Sequence, residues 1–294
     1  MFFGFCMGLM VAILILTQCS FKNNEMNVNQ HPPPRYIPTV PKKMDFAGEE
    51  VPLERWEVNE AFDRELLYNY NSAGNITYVV KLSFRYFPMI ETILKENGIP
   101  DDFKYLCVAE SNLQNQVSKA GAAGFWQFMK DTSIGYGMEV NDSVDQRYDL
   151  VMATQAACKY FQIAYQKFGS WTAAAASYNC GMAGYQKFST FQQTRNYYEL
   201  QLPDETNKYI FRILTFKYLI SHAKEMGFAV NESNGYKPMN VRTVKVESTI
   251  SDLTEWAKGQ HTTYKMIKVF NPWLRGKTLE VKNGQSYLIK IFEE

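Results

Sequence analysis

The stretch DDFKYLCVAES, residues 101–111, fixes how the rest of the chain is read. Two carboxylates at its start suit a helix N-terminus, where backbone N–H groups lack partners. From there Phe103, Leu106, Cys107 and Glu110 fall at i, i+3, i+4 and i+7, so a carboxylate shares the apolar face of a helix. Burial disfavours the ionised form, and the last helical turn adds an unfavourable dipole contribution, so the acid is expected to hold its proton to unusually high pH. A helix phase that turns Glu110 to solvent remains open on this stripe alone.

Outward from that helix, helical periodicity runs from about Val58 to Ala229, punctuated at Gly98-Ile99-Pro100, Gly135, Gly137, Gly169, Gly181, Gly184 and Pro203. An all-helical domain over 58–230 is expected. Asn231, Ser233, Asn234, Gly235 and Pro238 make a turn-rich joint, after which 241–246 alternates as a strand, 251–258 and 263–270 read as short helices, and 286–292 alternates again. The expected second domain, 238–294, is therefore βααβ, and the fold class is mainly α with a small α+β unit.

Upstream, residues 20–57 are polar and Pro-rich, with HPPPRYIPTVPKK at 31–43, and read as an extended linker. Residues 1–19 read as a signal or anchor segment: Phe2 to Leu16 carries no charge, and Leu16-Thr17-Gln18-Cys19 resembles a lipobox with Cys19 as the lipidated residue. An uncleaved helix is the alternative anchor. Either form holds the body at a membrane, outside the cytoplasm.

The 31 basic and 30 acidic side chains leave a net charge of +1, so nothing in the composition draws the chain to nucleic acid. Its three histidines, His31, His222 and His261, have no metal-ligand spacing, and neither a nucleophile elbow nor a phosphate loop occurs. No metal and no cofactor are expected. Cys107, Cys158 and Cys180 sit in apolar helical contexts and are expected as free thiols rather than as a disulfide framework.

The order of motifs is more specific. Glu110-Ser111 is followed by GAAGFWQF at 121–128, VDQRYD at 144–149, ATQAACKYF at 153–161, ASYNCG at 176–181 and ETNKYIFRIL at 205–214. Over about 130 residues the chain resembles the lytic transglycosylases of the soluble-lytic-transglycosylase-like, or goose-type lysozyme-like, superfamily, and within it the membrane-bound type D branch. The resemblance implies a lysozyme-like helical domain that cuts peptidoglycan glycan strands. It implies that Glu110 is the catalytic acid and base and that Ser111 orients the carboxylate or the substrate's N-acetyl group. It also implies that Gln127, Tyr178 and Asn179 line the cleft, that Tyr209 lies close to the acid, and that Gly124 lets the backbone approach substrate. Trp126 is either a sugar platform or a core residue. The segments 241–259, 269–279 and 283–291, with Asn271-Pro272, resemble a LysM-type peptidoglycan-binding module.

Most glycosidases pair two carboxylates, whereas Asp131, Asp145 and Asp149 here read as helix caps, surface charges or, with Arg147, an ion pair. A lone Glu110 implies protonation of the oxygen between N-acetylmuramic acid and N-acetylglucosamine. The C6 hydroxyl then attacks C1 as the same group takes its proton, leaving a 1,6-anhydro end. Two other readings remain open: a goose-type lysozyme-like hydrolase, which leaves reducing ends, and a wall-binding scaffold without turnover.

Overall fold

In the computed structural model, residues 36–293 are described; the expected anchor segment, 1–19 with Cys19, and residues 20–35 of the expected linker lie outside them. Among the described residues, ten α-helices and four short strands follow one another. The helical body comprises α1 (Trp56–Tyr70), α2 (Ala73–Glu96), α3 (Phe103–Ser111), α4 (Lys130–Gly135), α5 (Leu150–Phe168), α6 (Trp171–Cys180), α7 (Met182–Gln192) and α8 (Asp204–Ser221). Each long helix buries one stripe, as Val58, Phe62, Glu65 and Leu66 do on α1. Helix α8 packs against α1, α3 and α6 and so joins the elements that carry the site motifs. Four consecutive alanines of α6, Ala173 to Ala176, are fully buried, their small side chains letting α5, α7 and α8 come close on all sides.

Two expectations for the helical body need correction. Residues 38–57 are not spacer but part of the fold. There β1 (Asp45–Phe46) and β2 (Glu49–Glu50) pair antiparallel, and Phe46, Val51 and Leu53 enter the core. Glu49 also accepts hydrogen bonds from Ser170 Oγ and from the amides of Trp171 and Thr172, closing the N-terminus of α6. The second concerns α3. The backbone of Asp102 is already helical (φ −57, ψ −20), so its carboxylate does not cap the helix; it accepts instead from Ala47 N and Lys217 Nζ, while Asp101 pairs with Lys104.

The C-terminal part has the expected order, β3 (Val241–Val246), α9 (Leu253–Gly259), α10 (Tyr264–Phe270) and β4 (Tyr287–Phe292). The two strands pair antiparallel from Val241 opposite Phe292 to Val246 opposite Tyr287. Asn271 is fully buried yet satisfied: its amide donates to the carbonyls of Ile267 and Lys290 and accepts from the Lys290 amide, tying α10 to β4. The core of this part also takes in Ala123, Val144 and Tyr148 from the helical body, and Pro38–Glu294 is one compact unit. Cys107, Cys158 and Cys180 are free thiols. Among the described residues, no helix is long and apolar enough to cross a membrane.

Candidate active site

Glu110 stands in the last turn of α3, which stops because Asn112 and Leu113 adopt left-handed backbone, φ 52 and 57. The turn leaves the side chain half-buried at the end of an otherwise buried helix. Tyr209, on α8 and almost wholly buried, donates its hydroxyl to Glu110 Oε1. Oε2 has no hydrogen-bond partner among the described residues. Desolvation raises the Glu110 pKa from 4.5 to about 7; the Tyr209 hydrogen bond and the Arg212 charge oppose it, and the charge of Glu205 adds to it. At neutral pH the group is therefore poised between acid and base.

The other residues expected at the site are each held by the protein. Ser111 Oγ donates to the Cys107 carbonyl (3.2 Å), the bond of a helix-lining serine, and its carbonyl accepts from Gln116 Nε2 (3.1 Å). Gln127 takes left-handed backbone, φ 49, and its amide nitrogen donates to the carbonyls of Gly124 (2.8 Å) and Gln116 (3.0 Å). Its Oε1 has no partner among the described residues. Tyr178 Oη donates to the Trp126 carbonyl (2.7 Å), and its ring packs among Phe128, Tyr160 and Phe161. Asn179 Oδ1 accepts from Thr206 Oγ1 (2.7 Å), and Nδ2 has no partner among the described residues. The structure thus brings Tyr209 directly onto Glu110, while Gln127 and Asn179 each keep a polar atom unpaired.

Trp126 is a core residue rather than a sugar platform. It is fully buried, Nε1 donates to Thr154 Oγ1 (2.9 Å), and the ring lies against Phe161. For Gly124 the close approach is to the protein itself: a Cβ there would stand 1.8 Å from the Arg147 carbonyl oxygen, and its φ is +83. Asp149 caps α5 through the amides of Val151 and Met152, and Asp145 forms a two-pronged buried pair with Arg147.

The pattern described as the Transglycosylase SLT domain matches residues 87–201. The chain carries an SLT domain. It is followed by a second match, the soluble lytic transglycosylase C-terminal LysM-like domain, over residues 242–294. Two curated relatives named membrane-bound lytic murein transglycosylase D, from Escherichia coli strain K12 and from strain O6:H1, are each 24% identical over 256 residues, covering 83% of this chain. Those residues amount to 54% of the relatives, so the chain spans about half the length of the curated relatives it matches.

Tyr209, the partner of the acid, lies beyond the matched SLT residues, and so do the charges around it. Arg212, one turn further along α8, pairs with Glu205 (2.7 Å) and with the buried Glu65 of α1 (3.6 Å), which Arg64 also approaches (3.8 Å). Sequence reasoning gave no role to Arg212, Glu205 or Glu65. The one signal was a charged residue at i+3 from Tyr209; nothing local marks Glu65, whose burial depends on α8.

Proposed function

We propose that this chain is a peptidoglycan lytic transglycosylase with Glu110 as its catalytic acid and then base. The carrying observation is the Glu110 carboxyl: one oxygen held by Tyr209, the other unpaired, and a pKa raised to about 7 by desolvation. A group that titrates near the working pH can both give a proton and take one back. Oε2 protonates the oxygen between N-acetylmuramic acid and N-acetylglucosamine, and the leaving strand departs. The carboxylate then accepts the C6 hydroxyl proton as that oxygen attacks C1, closing the 1,6-anhydro ring without water.

A single-carboxylate cycle is supported by what becomes of two other acids, Glu205 beside Glu110 and Asp145 of the VDQRYD motif. Glu205, whose negative charge acts on Glu110, is tied to Arg212, and Asp145 is tied to Arg147. Gln127 Oε1 and Asn179 Nδ2 supply an acceptor and a donor for the sugar's hydroxyl and acetamido groups, and the LysM-like domain suits retention on the wall. The lipobox-like end at Cys19 and the membrane-bound relatives support anchoring in the cell envelope, facing the peptidoglycan. Digestion of purified sacculi tests the assignment. The Glu110→Gln protein should bind the wall and release no muropeptides, and release at the wild-type rate would refute it.

A further inference from the structure

The LysM-like domain shares backbone pairing and part of its core with the helical body. Residues 139–148 run from the helical body to the C-terminal part and back. Asp145 N donates to the Trp273 carbonyl (2.8 Å), and the amides of Arg275 and Gly276 donate to the Ser143 carbonyl (2.8 and 3.2 Å). Val144 and Leu274 form a β-bridge between these backbones. The side chains agree: Val144 and Ala123 are buried in the C-terminal core, Tyr287 Oη donates to Glu139 Oε2 (2.8 Å), and the Arg275 guanidinium lies 4.5 Å from the centre of the Tyr148 ring. Backbone pairing of this kind fixes register as well as proximity, unlike a flexible tether.

From that contact a chain of bonds leads to the loop 121–128, which carries Gln127. Asp145, its amide held by Trp273, grips the Arg147 guanidinium with both carboxylate oxygens (3.0 and 2.7 Å). Arg147 Nη1 then donates to the carbonyls of Gly121 (2.9 Å) and Phe128 (3.2 Å), the two ends of GAAGFWQF. The Arg147 carbonyl presses on Gly124 in the middle of the same loop. Gln127, in strained left-handed backbone, is presented from inside this clamp, and such a residue persists only where its surroundings over-determine it.

We propose that the C-terminal domain is a positioning element of the catalytic site: docked on residues 139–148, it holds Asp145 and Arg147, and through them the loop that presents Gln127. Asp145 and Arg147 are positioning residues, and Trp273 and Leu274 act through them. The activity arm of the test rests on the transglycosylase reading; the exchange arm does not.

The test uses the full chain in three forms: wild type, Val144→Asp, which puts a charge into the shared core, and Arg147→Lys, which keeps the charge and loses the fork. Amide hydrogen exchange over 121–128 should speed up in both variants by at least about tenfold, the mark of a loop released from its local protection. On soluble uncrosslinked glycan strands too short to reach both domains, kcat should fall roughly ten- to hundred-fold with little change in KM, as expected when a substrate-positioning group is displaced. A wall-binding module alone predicts the reverse, an intact kcat on short strands and a raised KM on sacculi. Unchanged loop exchange in Val144→Asp, whatever Arg147→Lys does, or full kcat of Val144→Asp on short strands, overturns the proposal. If wild type releases no product at all, the transglycosylase reading fails, and the exchange measurement decides the coupling without it.

Discussion

Replacing Glu110 with Gln should make the protein more stable, and by an amount that depends on pH in a defined direction. In the folded chain the Glu110 pKa stands at about 7 against an ordinary value of 4.5. The folded state therefore holds the proton more tightly. As pH rises from 4.5 the unfolded chain sheds its proton first, and stability falls until the folded group has ionised too. Integrating this linkage between the two values gives about 3 kcal/mol, an upper figure because the side chain is only half-buried. Gln keeps an acceptor for the Tyr209 hydroxyl and has no proton to lose. Urea denaturation of both proteins at closely spaced pH values should therefore show the variant's advantage growing between pH 4.5 and 7 and level above it. A constant difference across that range, or an advantage that shrinks as pH rises, would show that the carboxyl is not held in a desolvating site.

The same geometry makes further predictions. Tyr209→Phe removes a hydrogen bond that favours the ionised form, so the descending limb of the pH–rate profile should move to higher pH; a move to lower pH would contradict the arrangement. Gly124→Ala places a methyl on the Arg147 carbonyl and strains the backbone, costing on the order of 3 kcal/mol or more in denaturant unfolding, and a cost below about 1 kcal/mol would show that the two segments part easily. Trp126→Phe loses the bond to Thr154 and leaves a small void, lowering stability by about 1–3 kcal/mol while KM for glycan strands stays constant. A raised KM with unchanged stability would restore the sugar-platform reading.

The parts of this structure legible in the sequence are those whose cause is local. The stripe that carries Glu110, and the alternation of 241–246 and 286–292, follow from side-chain period alone, and the elements lie where that period puts them. The hairpin at 45–50 was hidden because it has two residues per strand and one buried side chain, Phe46. What holds it is distant in sequence, through Glu49 to α6 and through Asp102 to Ala47. Gly124 was expected to bring the backbone close to substrate, and its close neighbour is instead the Arg147 carbonyl, which reaches it only through the tertiary fold. Trp126 was ambiguous for a chemical reason: an indole that stacks on a sugar and one that fills a core look the same in sequence, and only the buried Nε1 bond separates them. The βααβ order announced a second domain, whereas its shared core with Val144 and Ala123 arises from contacts no periodicity reports.

In the proposed mechanism one carboxyl serves in turn as acid and base while the substrate's own hydroxyl closes the ring. Digesting sacculi in heavy-oxygen water and weighing the new muramoyl ends by mass spectrometry tests it most directly. Anhydro ends that carry no solvent oxygen are expected. Reducing ends labelled at C1 would mean that water is the nucleophile, and the single-carboxylate mechanism would be wrong.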